Sequence, residues 1–196
     1  MRRLVIIGAS CHGKVVAEIA RSTNTEIAGF IDDRTHREPY LGTLESLPLK
    51  DEVEYVIAIG SNATRKRIAE SHDLPYARLV HVFSWVPLES IGEGTIATAG
   101  TIVNPDAKIG RHVILNTACS IDHDCIIGDY CHICPGVHLG GDVHIGEGTQ
   151  LGVGVSVIPG IRIGAWSIIG AGGVVVRDIP DNVVAYGVPA RVKRTL

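Results

Sequence analysis

The chain has 196 residues, of which 45% are hydrophobic and 20% charged, which is enough apolar material for a packed core and argues against disorder. A formal net charge of −3 leaves no basic footprint, so nucleic acid is excluded as an expected partner. No apolar run approaches the roughly 18 residues that a bilayer span requires, so no membrane insertion is expected.

Met1-Arg2-Arg3 followed by an apolar stretch imitates a secretory signal, but the stretch stops at Gly8, too short for an h-region, and a cytoplasmic protein is expected. Five cysteines, an odd count, then read as reduced thiols. Residues 4–7 predict a short buried strand, Gly8-Ala9-Ser10-Cys11-His12-Gly13-Lys14 a glycine-flanked loop, and residues 15–21 a helix. Residues 27–31 predict a second strand ending at Asp32-Asp33. Residues 53–59 predict a third, closed by Gly60-Ser61-Asn62 and followed by a charged helix around 64–71. Strand, glycine loop, helix and acid-terminated strand make a nucleotide-binding βαβ layout. Its helix N-terminus suits a pyrophosphate, and its acids lie near a ribose. Two sharper motifs fail. Val15 stands where a P-loop needs Ser or Thr, and Ser10 where a dinucleotide fingerprint needs glycine.

The second half is periodic. Steps of six from Ile91 through Ala97, Val103, Ile109, Leu115 and onward to Val175 meet an aliphatic residue every time. Four residues after each sits a small or β-branched one, from Thr95 through Cys119, Cys125 and Cys131 to Ile179. Glycine often follows the aliphatic residue, as at Gly92, Gly110, Gly128, Gly146, Gly164 and Gly170, and is expected to relieve the bends. A period of six is neither helical nor a strand alternation; it suits a triangular coil of three short strands and three turns. Three hexads make a coil of 18 residues, so the run from 91 to about 180 supplies about five coils, each buried only against its neighbours.

An α/β domain with a G-x-S-x-H-G-K loop and Asp32-Asp33, leading directly into hexads, resembles the PglD-like/NeuD-like family over essentially the whole chain. These are bacterial sugar-nucleotide N-acetyltransferases and sialic acid O-acetyltransferases. The resemblance implies a Rossmann-like nucleotide-sugar-binding domain over residues 1–82. A left-handed parallel β-helix with a short C-terminal cap would follow over 83–196. It further implies acetyl-CoA as co-substrate and a homotrimer with the cofactor lying between neighbouring prisms. By matching position, Ser10, Cys11, His12, Asp32, Asp33 and Gly60 would line the nucleotide-sugar site, with Lys14 and Arg65 as further candidates. Cys11 stands where the family often has glycine. His132, Gly141, Val153 and Ala171 would lie along acetyl-CoA. Tyr186-Gly187-Val188-Pro189-Ala190 resembles the family's closing G-x-P-A segment, and Arg191 and Lys193 are candidates, by charge, for the CoA phosphates.

Acetyl transfer to an amine needs a base, a donor for the oxyanion and alignment of two substrates. Ile121-Asp122-His123-Asp124-Cys125 sets a histidine between carboxylates and matches the family's I-x-H-[DE] segment. His123 is therefore the expected general base, and Asp124 the residue that orients it and raises its basicity. The coil length puts Gly141 one coil above His123, with its N–H open to a thioester oxygen, and puts Val153 and Ala171 in one column. The expected reaction is direct transfer, in a ternary complex, to the 4-amino group of a UDP-linked 4-amino-4,6-dideoxy sugar for a surface glycan or glycoprotein. GDP-perosamine N-acetylation, sialic acid O-acetylation and, from a different class, a non-catalytic β-helix scaffold are the alternatives. No metal is expected. His132, His138 and His144 are six apart and so face three ways, while Cys131 of the C-x-x-C pair with Cys134 takes an inward slot.

Overall fold

The structure, a computed structural model, describes residues 3–47 and 52–196; Met1 and Arg2 of the signal-like opening lie outside the described residues. The N-terminal half runs β1 (Arg3–Ile7), α1 (Cys11–Ser22), β2 (Ile27–Ile31), β3 (Tyr40–Gly42), β4 (Val53–Ile57) and α2 (Asn62–Ser71). Its parallel sheet has the order β3-β2-β1-β4. β1, buried along Leu4 to Ile7, pairs with β2 on one side and β4 on the other. The strand order therefore reverses at β1, which opens a crevice beyond the carboxyl ends of the strands.

Helix α1 starts at Cys11 rather than at residue 15, so only Gly8, Ala9 and Ser10 remain as loop. The cause is close packing: a Cβ on Gly13 would strike the Gly8 carbonyl, and one on Gly8 (φ +111°) would lie 2.7 Å from the Ala58 carbonyl oxygen. Packing of the first helical turn against β1 overrides the poor helix propensity of glycine. α2 likewise begins at Asn62, capped by the Ser61 hydroxyl, which accepts from the Thr64 amide. Strand β3, at three residues too short to show alternation, was not anticipated.

The second half is a three-sided parallel β-helix. Ser120 pairs with Ile102 below and His138 above, steps of 18 residues, and the same register holds on the other faces. The inward ladder from Ile91 to Val175 lies in one core, together with Cys119, Cys125 and Cys131. The first face holds five strands, from Ile102–Val103 to Val174–Val175, and the second four, from Lys108–Ile109 to Arg162–Ile163. The third holds eight. It gains β5 (Leu79–Val80) before the repeat and an antiparallel hairpin, Val183–Gly187 with Ala190–Thr195, after it. The ladder is thus longer than the hexads alone suggest, and the expected C-terminal cap is this hairpin.

The turns correct one expectation. Every sixth residue from Gly94 to Gly172 has a left-handed φ between +52° and +76°. Glycine fills half of these places; Asp106, His112, Ala118, Asp124, Tyr130, Asp142 and Trp166 fill the rest. The glycines that follow the aliphatic residues sit elsewhere and serve close approach instead. A Cβ on Gly92 would stand 2.7 Å from the Arg111 amide nitrogen, and one on Gly128 2.6 Å from that of Glu147.

The N-terminal unit docks on the third face. Ile96 and Ile114 point outward from that face yet are fully buried, and Ile96 joins one core with Leu4, Ile6, Val56 and Leu79. At the adjoining corner, between the second and third faces, docking covers carbonyls of the left-handed turns, which water can no longer satisfy. Helix α2 supplies the donors. Arg65 Nε donates to His112 O (2.7 Å) and Nη2 to Tyr130 O (2.7 Å), and Asn62 Nδ2 donates to Gly148 O (3.0 Å). These three acceptors belong to three successive coils. Lys66, paired with Glu147, lies over the rings of Tyr130 and Trp166.

Three imidazoles line this seam. Burial, and then the Arg65 charge, lowers His12, His112 and His132 to about 4. Unfolded, each would bind a proton near 6.5, so between these values the unfolded chain holds more protons than the folded one and stability rises with pH. This contribution is present in full above 6.5 and is withdrawn as pH falls towards 4. Urea midpoints should therefore drop steadily from pH 7.5 to pH 5; a flat midpoint over that range would contradict the neutral, buried assignment.

Candidate functional site

The most reactive geometry lies on the corner between the first and second faces. The strand Ser120–Ile121 ends there and the chain turns through Asp122, His123 and Asp124. Asp124 takes a left-handed φ of +60°, a conformation acidic side chains tolerate, and its carboxylate folds back to meet His123 Nδ1 at 2.7 Å. Asp122 anchors the same turn: its Oδ1 accepts from the His123 amide (2.8 Å) and from Asn104 Nδ2 (2.9 Å) one coil below. The bond to Asp124, with the Asp122 charge, raises the pKa of His123 above its ordinary 6.5. With Nδ1 engaged and the side chain 60% exposed, Nε2 is open to a reactant. The ring lies against Gly141, one coil above, where a Cβ would stand 2.6 Å from Nε2. The Gly141 amide has no acceptor among the described residues.

A second group lies across the first face. Val153 and Ala171 share the corner between the third and first faces, and the Gly172 amide donates to Val153 O at 2.8 Å. Beside that corner, on the third face, His132 Nε2 meets Asn116 Nδ2 at 3.2 Å. The His132 ring also hydrogen-bonds the backbone of Gly60, and it stands 6.4 Å from the His12 ring. His12 Nε2 is buried without a partner among the described residues. Of the acetyl-CoA candidates, then, His132, Val153 and Ala171 gather at one edge, and Gly141 sits with His123 at another. His138 and His144 stand on the first and second faces, so the three histidines spaced by six do not meet. Burial pushes the Cys119 and Cys131 thiols up to about 12, as suits inert core filler.

The third group is the crevice at the ends of β1 and β2, about 400 Å³, lined by Ser10, Asp32 and Asp33 together with Arg34, Thr35, Thr64 and Arg67. Asp32 is largely structural. Burial alone would raise its pKa, but bonds from the amides of Ala9 (2.7 Å), Arg34 (2.8 Å) and Thr35 (2.8 Å) hold it below the ordinary value. Among the described residues, Asp33 accepts only the Leu44 amide, at 3.0 Å.

The comparisons with known proteins fit this layout. The PglD N-terminal domain matches residues 3–72 and the bacterial transferase hexapeptide, as six repeats, residues 106–141. A variant of perosamine N-acetyltransferase from Caulobacter crescentus, solved with CoA and GDP-perosamine, is 40% identical over 98% of this chain and 97% of its own, with a TM-score of 0.92. The chain belongs to the PglD-like/NeuD-like sugar acetyltransferase family. The acetyltransferase domain of PglB from Neisseria gonorrhoeae FA1090, solved with acetyl coenzyme A, is 34% identical over 98% and 99% of the two chains, with a TM-score of 0.90. UDP-N-acetylbacillosamine N-acetyltransferase from Bacillus subtilis (strain 168) is 41% identical over 113 residues, a match spanning 50% of this chain and 52% of that relative's length.

Within this family frame, the structure separates the expected nucleotide-site residues. Ser10, Asp32 and Asp33 line the crevice, whereas His12 and Gly60 face the seam with His132. Cys11 opens α1, exposed, and Lys14 is exposed on the same helix. Arg65 is corrected outright: it is fully buried and spent on carbonyls of the seam, so it is no nucleotide ligand. Sequence reasoning missed Thr64 and Arg67, which reach the crevice from the other side of α2. The spacing of Thr64, Arg67 and Ile68 marks one helical face and could have found them. Lys193 Nζ lies 5.3 Å over the Tyr186 ring, and Arg191 donates to Ala190 O.

The two crevice acids should separate on mutation. Asp32→Ala frees three amides and should cost about 2 kcal/mol of stability, while Asp33→Ala, losing one exposed bond, should cost less than about 1 kcal/mol. Urea denaturation of both variants checks this; equal losses would contradict the structural role of Asp32.

Proposed function

We propose that the chain transfers an acetyl group from acetyl-CoA to the amino group of a nucleotide-linked 4-amino-4,6-dideoxy sugar, with His123 as general base. The observation that carries this reading is the His123–Asp124 pair, poised over Gly141 on the corner of the hexapeptide prism. In a ternary complex the sugar amine attacks the thioester carbonyl carbon. His123 Nε2 takes the amine proton, and the Gly141 amide donates to the oxyanion. Collapse of the tetrahedral intermediate breaks the carbon–sulfur bond, and the imidazolium returns its proton to the leaving thiolate. The amide product and free CoA thiol remain.

The nucleotide would occupy the crevice, its diphosphate beside Arg34 and Arg67 and the α1 N-terminus. Acetyl-CoA would run along the Val153–Ala171 corner past His132. In a single chain the five-stranded first face separates that corner from His123. We therefore place the reaction between copies. Each copy presents its His123 corner to the next copy's Val153–Ala171 corner in a closed head-to-tail ring, which three-sided prisms complete as a trimer. Ile102, on the first face, and Val153 and Ile158, on the two corners, are exposed apolar side chains suited to such contacts.

A UDP-linked sugar is the reading of first choice, in line with the 41% identity to the Bacillus subtilis relative. The 40% identity over nearly the full chain to the perosamine enzyme favours a GDP-linked sugar as the second. Thiol release from acetyl-CoA, measured with UDP- and GDP-linked 4-amino sugars, separates the two.

His123→Ala should lower kcat by at least about 10²-fold while leaving the urea midpoint unchanged. Because the base must be neutral, kcat/KM should fall with decreasing pH on a limb set above 6.5, and Asp124→Asn should move that limb to lower pH. Near-normal turnover by His123→Ala would refute the assignment of the base.

A further inference from the structure

Arg65 is fully buried, and among the described residues no carboxylate pairs with it. Five of its acceptors are backbone carbonyls: Ile59 (2.9 Å), Gly60 (3.4 Å), His112 (2.7 Å), Tyr130 (2.7 Å) and Cys131 (3.2 Å). The sixth is Asn62 Oδ1 (2.9 Å). These fall in two sets. Ile59 and Gly60 in the loop after β4 and Asn62 at the start of α2 make up the first set, and Ile59 itself is part of the crevice wall with Thr64 and Arg67. His112, Tyr130 and Cys131 belong to the prism, and the last two lead directly into His132. Only a planar fork with five donors reaches both sets at once.

The Gly60 end matters most. The Gly60 backbone binds Arg65 and the His132 ring together, while Asn116 holds the other side of that ring. With Nε2 accepting from the Asn116 amide, the proton of His132 sits on the nitrogen facing Gly60, which fixes both the tautomer and the tilt of the ring.

We infer that Arg65 is a positioning residue for acetyl transfer: it holds the nucleotide crevice and the His132 strand at one separation and, through Gly60, sets the orientation of His132. This rests on the function proposed above. The groups facing the two imidazoles are consistent with the role. His12 from α1 and His132 from the third face adjoin one another and Arg65. Around Arg65, Tyr130 and Cys131 are weakly acidic groups whose pKa values burial raises further. Lys66 of α2 is paired with Glu147 and Glu70, and Arg111 with Asp129 and Glu93. Among the described residues no carboxylate offsets the guanidinium at the two rings, so burial and that charge keep both neutral at working pH.

The test compares Arg65→Lys and Arg65→Met in the full-length protein. Three readouts are the folded fraction, steady-state kinetics per folded molecule, and NMR titration of the His12 and His132 rings. Misplacement of the crevice relative to His132 should raise KM for the nucleotide sugar at least about tenfold in both variants. Arg65→Met, without the charge, should move the His132 titration up from about 4 towards 6.5. Arg65→Lys should keep the low titration but not restore KM. Folded variants with unchanged KM and titration would overturn the inference, and so would a loss of activity that merely tracks a loss of folded protein. If Arg65→Met does not fold, Arg65→Lys decides by KM. If the unmodified protein releases no thiol with any acceptor, the proposed function has failed. The inference is then judged by calorimetric binding of UDP and GDP together with the histidine titration, and unaltered binding and titration would sink it.

Discussion

The structure depends on one repeated constraint, a left-handed turn at every sixth residue. That turn closes each strand of the prism after two residues and keeps the 18-residue coil in register over its whole length. It also leaves a turn carbonyl without a partner in the neighbouring coil. Where the corner faces water, no further provision is needed. Where the N-terminal unit covers the corner, the same carbonyls must find donors, and the Arg65 and Asn62 side chains meet three of them in succession. The seam between the two halves is thus a consequence of how the prism turns.

The same constraint places the chemistry. Fixed register sets Gly141 above His123 and Ala171 above Val153, and it sends the two pairs to opposite edges of the five-stranded face. It also divides the histidines by environment. Those in the seam are largely buried, lie beside a buried cation and are kept neutral; His123 stands in solvent between carboxylates that favour its charged form. One residue type is therefore held neutral in the seam and favoured in its charged form at the open corner, the difference lying in solvation and neighbouring charge.

The prism was legible because each hexad contacts only its neighbours in sequence and in space, so its pattern is written locally. The His123-Asp124 pair stood out by its match to the family segment, and its relation to Gly141 followed from counting. What stayed hidden depends on contacts distant along the chain. Arg65 and Arg67 are two residues apart on one helix, and nothing local says which one faces a crevice and which faces the prism; only docking decides. The glycines tell a similar story. Those at Gly92 and Gly128 were read as bends because glycine is the commonest left-handed residue, but the left-handed places accept Asp, His, Tyr and Trp, while the glycines are demanded by the coil above. The early start of α1 was masked by Gly13, whose missing side chain serves packing against Gly8.

The central claim is that the reacting groups come from two copies of the chain. It is tested most directly by co-expressing His123→Ala with Ala171→Arg, each inactive alone, and measuring thiol release from the mixed assemblies. In a ring that joins one copy's base to the next copy's groove, random mixing leaves about a quarter of the sites with both edges intact, so activity should return to roughly a quarter of normal. No recovery from mixed assemblies would place base and groove in the same chain and contradict the account.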